Sequence, residues 1–181
     1  MRRLPLALLV VLGALVVFVG TSAGAGVVLA GDQTVESNHD SNTAGSAEAF
    51  RTTAGTSGTA QTITVYVDST STATSLTAGL YADASGHPGA LLGQGTIAAP
   101  AKGAWDDVPI SGAAVTAGAT YWIAILGPSG AGTIQFRDKS GGGASETSSS
   151  SSLSTLPASW TTGARYTDGP LSAYVSGSTS P

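Results

Sequence analysis

Thr120-Tyr121-Trp122-Ile123-Ala124-Ile125-Leu126-Gly127 is the stretch that decides the fold. Its residues Tyr121 to Leu126 are apolar on both faces of an extended chain, which is the pattern of a central strand covered on each side. Working outward, strict alternation recurs. Ile63, Val65 and Val67 alternate with Thr62, Thr64, Tyr66 and Asp68, the cleanest half-buried strand in the chain. Leu76, Ala78, Leu80 and Ala82 alternate with Thr77, Gly79 and Tyr81, and Glu48, Phe50 and Thr52 with Ala47, Ala49 and Arg51. The turn Asp83-Ala84-Ser85-Gly86-His87-Pro88-Gly89 breaks the run. Residues 91–97, 104–110, 133–139 and 170–176 supply further strands, and no segment after residue 30 carries a helical stripe. Eight or nine short strands predict an all-β chain: an antiparallel β-sandwich, jelly-roll-like, with a barrel as the alternative.

Composition narrows the function. The chain has 181 residues, 41% hydrophobic and 10% charged, with no cysteine. It therefore has no disulfide, no thiolate metal site and no cysteine nucleophile. Seven basic residues and a net charge of −4 lack the clustered Lys/Arg footprint of a nucleic-acid-binding protein, so no nucleic-acid partner is expected.

Residues 1–30 read MRRLPLALLVVLGALVVFVGTSAGAGVVLA. Arg2 and Arg3, an apolar run over 4–19 and small residues beyond it have the anatomy of a secretory signal peptide. Ala25 and Ala30 both offer cleavage sites, and Ala30 removes the whole apolar stretch. The alternative is an uncleaved apolar leader helix that anchors the protein, and only then is the membrane a partner. Export places the product outside the cell or at its surface. The expected organisation is a leader over 1–30, one domain over 31–176 with a flexible Ser/Gly loop over 140–155, and a polar tail over 177–181. The loop assignment rests on SGGGASETSSSSS at 140–152, which carries little to bury.

Candidate chemistry is sparse. His39 and His87 are the only histidines, each in a Gly/Ser/Asp-rich context read as a solvated loop, and no G-x-S-x-G elbow is present. Asp106 and Asp107 are adjacent, and adjacent strand residues point to opposite faces, so they do not converge as acid and base. Asp83, Asp138 and Asp168 could meet only through the fold. These observations give a non-catalytic reading. Oxygen side chains at alternate positions in Asn38–Glu48, with Gly45 at a turn, suit a hard cation such as Ca²⁺. Asp40, Asn42 and Glu48 are its expected ligands; the competing reading is a turn in which Asn and Asp bond their own backbone. Among the aromatics, Trp122 belongs to the core. Trp105, Trp160 and Tyr81 are the candidates for a sugar platform, with Arg137 and Asp138 as a polar clamp or merely a surface ion pair.

Gly79-Leu80-Tyr81, Gly86-His87-Pro88-Gly89-Ala90-Leu91-Leu92, Trp105 and Val115-Thr116-Ala117-Gly118-Ala119-Thr120-Tyr121-Trp122-Ile123-Ala124 together carry a resemblance. They are similar to β-sandwich modules of secreted bacterial proteins, including choice-of-anchor domains and modules appended to glycoside hydrolases. Asp40–Phe50 and Leu156–Trp160 also resemble parts of actinobacterial members. The resemblance implies a sandwich and a carbohydrate-binding-like role, and transfers no catalytic residue. The expected function is a secreted, non-catalytic module for carbohydrate or cell-wall glycan. A structural or adhesive surface protein held by its N-terminal segment is the alternative, and a hydrolase with an unrecognised site the third reading.

Overall fold

The computed structural model describes residues 26–179, and everything in it is strand, turn or irregular chain. Twelve strands form two antiparallel sheets: β1 (Val27–Gly31), β2 (Asn38–Asn42), β3 (Ala47–Thr53), β4 (Gly58–Val67), β5 (Ser75–Asp83), β6 (Pro88–Ala98), β7 (Ala104–Val115), β8 (Thr120–Leu126), β9 (Ile134–Asp138), β10 (Ser145–Ser148), β11 (Thr162–Tyr166) and β12 (Ala173–Thr179). The first sheet runs β1-β12-β4-β9-β2, with β7 on the other flank of β4; the second runs β11-β10-β3-β8-β5-β6. These are two stacked sheets, as the alternation predicts, and not one closed barrel. Of the leader helix expected over residues 1–30, residues 1–25 lie outside the described residues, and residues 27–30 belong to β1.

Alternation explains the core between the sheets. Ile63, Val65 and Val67 of β4 are fully buried, as are Val108 of β7, Ile134 and Phe136 of β9, and Val175 of β12. From the second sheet they meet Phe50, Leu76, Leu80, Ile123 and Ile125. Phe50 and Phe136 touch edge to face with centroids 5.7 Å apart, pinning β3 against β9. Each such side chain contributes about 1.5–3 kcal/mol on leaving water.

β8 lies between β3 and β5, and the face of it that looks away from this core is buried as well. Trp122, Ala124 and Leu126 join Ala47, Ala49 and Tyr81 in a second apolar cluster. Leu153, Leu156 and Trp160 cover it. Backbone and side-chain bonds hold this cover: Leu153 N–H donates to Gly45 O (2.9 Å), Leu91 N–H to Ala158 O (3.0 Å) and the Tyr81 hydroxyl to Pro157 O (2.7 Å). Gly45 seats it. With φ at +87°, any Cβ there would stand 2.6 Å from Ser151 O.

Three expected boundaries change. The domain does not start at residue 31. Val27–Gly31 pairs with β12, with Val28 opposite Ser176 and Ala30 opposite Val175, and Leu29 is 1% exposed in the core. Val-Val-Leu-Ala reads equally well as the end of an apolar leader and as a buried strand, and hydropathy alone does not separate the two. Residues 177–179 are not tail either: Gly177, Ser178 and Thr179 pair with Ala60, Thr59 and Gly58. The segment 140–155, expected as a flexible loop, contains β10, which is hydrogen-bonded between β3 and β11. Its residues are polar, yet Ser145 and Glu146 are buried, because neighbouring strands supply partners that composition cannot reveal. A chain beginning at Gly31 lacks Leu29, and we expect it to be less stable than one beginning at Gly26 by roughly 3 kcal/mol in urea unfolding; equal stability would contradict the placement of β1.

Candidate functional site

The residues expected as a cation site do gather. Successive side chains of β2 alternate faces, so Asn38, Asp40 and Asn42 share the inner side and His39 and Ser41 the outer. β2 pairs with β9, setting Asn38 opposite Asp138 and Asp40 opposite Phe136. Glu48 enters from β3, on the same side as Phe50, and Thr147 lies opposite it on β10. Tyr166 of β11 and Asp168 close the other wall. The result is a cleft of about 200 Å³ at one end of the sandwich, lined by Asp40, Ser41, Asn42, Glu48, Thr147, Tyr166 and Asp168.

Its electrostatics are unbalanced. Glu48 is 4% exposed, and burial lifts its carboxyl to about 7; the charges of Asp40 and Asp138 add to the lift, while Ser145 and Asn42 oppose it. Asp138 is raised to about 6 by burial first and by Asp40 and Asp168 after it. The Asn38 amide donates to Asp138 Oδ1 at 2.7 Å, whereas Asp138 Oδ2 meets no donor. The ion pairs among the described residues use only Asp68 and Glu146 as acids, so no basic side chain offsets the four carboxylates here. A calcium ion wants six to eight oxygens at about 2.3–2.6 Å. No three His, Asp or Glu side chains among the described residues stand close enough to hold a metal, and Asn42, with its amide turned to donate, sets Nδ2 3.3 Å from Glu48 Oε2. The structure thus brings Asp40, Asn42 and Glu48 to one cleft without arranging them as a cage.

The platform candidates are divided among three places. Tyr81 is fully buried and Trp160 packs edge-on against it at 5.2 Å, both belonging to the covered outer face of the second sheet. Burial also raises the Tyr81 phenol well above its ordinary range. Arg137 and Asp138 point to opposite faces of β9 and form no clamp. Arg137 pairs with Asp68 on the outside, and Asp138 lies on the inner side. Asp68 is held well below the usual carboxylate range, first by the hydroxyl and N–H of Thr70 and then by Arg137.

Trp105 stands on the outer face of the first sheet, in company the sequence reading did not assign to it. It lies opposite Tyr66 in the β4–β7 register, with ring centroids 5.5 Å apart and planes at 70°. Tyr174 of β12, which pairs with β4 opposite Thr64, also approaches Trp105, at 5.6 Å and 55°. All three rings are partly exposed. Beside them Thr64 Oγ1 donates to Asp107 Oδ1 at 2.7 Å. The signal was present in the alternation, since Tyr66 falls on the polar side of Thr62–Asp68. Asp106, opposite Val65, turns to the other face and accepts from Ala101 N–H at 2.9 Å.

A third cluster surrounds Glu146, which is fully buried. His87 Nδ1 lies 2.7 Å from Glu146 Oε1, Arg165 Nε 3.2 Å from the same atom, and Thr162 Oγ1 donates to Oε2 at 2.8 Å. These contacts tie the Asp83–Gly89 turn and the exposed strand β11 to β10. Of the two histidines expected in solvated loops, His87 in the turn is half-exposed and paired, and His39 is exposed but lies on β2, 3.3 Å from Asp68.

Comparison with protein families and with curated proteins finds no match. The raised carboxyls make stability depend on pH. Glu48 and Asp138 bind protons more tightly folded than unfolded, so their contribution is intact near pH 4 and is lost as pH rises through about 6 and 7. We expect the melting temperature to fall between pH 5 and pH 8. Glu48→Gln should remove much of that fall, on the order of 3 kcal/mol; an unchanged pH profile in this variant would contradict the assignment.

Proposed function

We propose that the protein is an exported, non-catalytic glycan-binding module built on a jelly-roll-like β-sandwich. The observation that carries this reading is the cluster of Tyr66, Trp105 and Tyr174 on the outer face of the first sheet, flanked by the exposed carboxylate of Asp107, which the buried Thr64 hydroxyl holds in place. Aromatic faces stack on the apolar C–H face of a pyranose, while adjacent hydroxyl and carboxylate groups bond its hydroxyls. The rings are steeply inclined to each other and offer one stacking face, not a flat strip. That geometry favours a single glycan chain or terminal sugar over the surface of a crystalline polysaccharide.

The apolar segment over 4–19 supports export. Cleavage after Ala25, at Ala23-Gly24-Ala25, leaves β1 whole, whereas cleavage after Ala30 would remove Leu29 from the core. This favours Gly26 as the first residue of the released protein. The surface-protein alternative keeps the leader and holds the same sandwich against the membrane; retention of the protein with washed membranes would favour it.

Glycan arrays and pull-down on chitin, cellulose and peptidoglycan test the reading. Trp105→Ala should weaken binding about tenfold or more while the protein stays folded. Trp160→Ala should lower the melting temperature and leave affinity unchanged, because Trp160 packs on Tyr81 and not on this face. Absence of binding to any glycan, or binding unaffected by Trp105→Ala, would overturn the proposal.

A further inference from the structure

The carboxylate beside the aromatic cluster narrows what that face can hold. Trp105 and Asp107 are two residues apart on β7, so both side chains project from the outer face of the first sheet. Asp107 lies opposite Thr64, and the Thr64 hydroxyl, on a residue 3% exposed, donates to Asp107 Oδ1 at 2.7 Å. That bond engages one oxygen and orients the group, while Asp107 itself is exposed. The ion pairs among the described residues all use Asp68 or Glu146, so Asp107 has no basic partner among them. Asp68 marks the contrast. It follows Tyr66 by two positions, on the same face, yet it is buried and met by Thr70, Arg137 and His39.

The rings and the carboxylate share one electrostatic preference. The face of an aromatic ring is the negative end of its quadrupole, and it attracts a cation for that reason. Asp107 sets an acidic group one same-face position along the strand from Trp105. The sheet does not ask for an acid there, because an asparagine at 107 would accept the Thr64 hydrogen bond as well. A neutral sugar hydroxyl can donate to Asp107 but gains nothing from the ring potential. An ammonium group gains from both, with three donors and no acceptor to satisfy.

We propose that the glycan held on this face carries a free primary amine, as a de-N-acetylated amino sugar does, with its pyranose packed on Trp105 and its ammonium group donating to Asp107. The inference rests on the glycan-binding reading and narrows it to one sugar class. It makes Asp107 the residue that sets specificity and Trp105 the residue that supplies affinity for any sugar.

Three β-1,4-linked disaccharides that differ only at C2 test this: the dimers of glucosamine, N-acetylglucosamine and glucose, titrated by calorimetry into the full-length protein at pH 6, with lysine amide as a cation that is not a sugar. The glucosamine dimer should bind about tenfold more tightly than the other two, and added salt should shrink that margin. Asp107→Asn should bring the three dimers together, whereas Trp105→Ala should weaken all of them, with melting curves showing that both variants fold. Asp106→Asn removes an acid from the other face of the same strand and should leave the preference in place. Equal binding of the three dimers, or a preference that survives Asp107→Asn, would overturn the proposal and leave the glycan reading standing. Binding of none of them would overturn it too, and the glycan array then decides the broader reading separately. Lysine amide bound as tightly as the glucosamine dimer would show that the face takes a cation and not a sugar, and would overturn both.

Discussion

Burial of β8 on both faces is the constraint on which the rest of the structure depends. A strand with Ile123 and Ile125 on one side and Trp122, Ala124 and Leu126 on the other needs an apolar layer above and below. The first sheet supplies one layer. The second comes from chain without regular structure, in which Leu153, Leu156 and Trp160 are spaced among serines. That cover occupies the outer face of the second sheet, whereas Tyr66, Trp105 and Tyr174 on the first sheet's outer face stay partly exposed.

Charge is distributed by the same logic. Where the chain buries an acid to hold strands together, it supplies basic side chains: Glu146 has Arg165 and His87 beside it, and Asp68 has Arg137 and His39. At the open end it supplies none, and the carboxyls of Glu48 and Asp138 rise toward neutrality. Two buried acids with basic partners and two without them, in one small domain, separate carboxylates that tie strands together from carboxyls that burial pushes toward the neutral form.

Strands with one dry and one wet face were legible in the sequence. β4 announces itself by Ile63, Val65 and Val67, and β8 by its unbroken apolar run. β1 was hidden because its residues continue the apolar segment before them, and β10 because Ser-Glu-Thr-Ser carries no alternation at all. Its Glu146 is buried through partners 59 residues earlier and 19 later. Part of the cleft could be read from the spacing of Asp40, Asn42 and Glu48, which a short turn brings together. Tyr166 and Asp168 join them only through the pairing of β10 with β3 and β11, a long-range register that local pattern does not encode. The aromatics show the same limit. Tyr81 and Trp105 each precede or follow a turn in an alternating strand, and parity does not say which face the chain will later cover.

The central claim is that the serine-rich segment after β10 is a fixed cover and not a mobile loop, and hydrogen exchange tests it most directly. The amides of Leu153, Leu156 and Trp160 donate to Gly45 O, Gln94 Oε1 and Gly89 O at 2.9, 3.0 and 3.2 Å. Exchange at these three positions should be slowed by orders of magnitude relative to an unstructured chain, approaching the protection of strand amides in β6. Exchange at the free-chain rate would mean that the outer face of the second sheet is open, and the assignment of binding surfaces would fall with it.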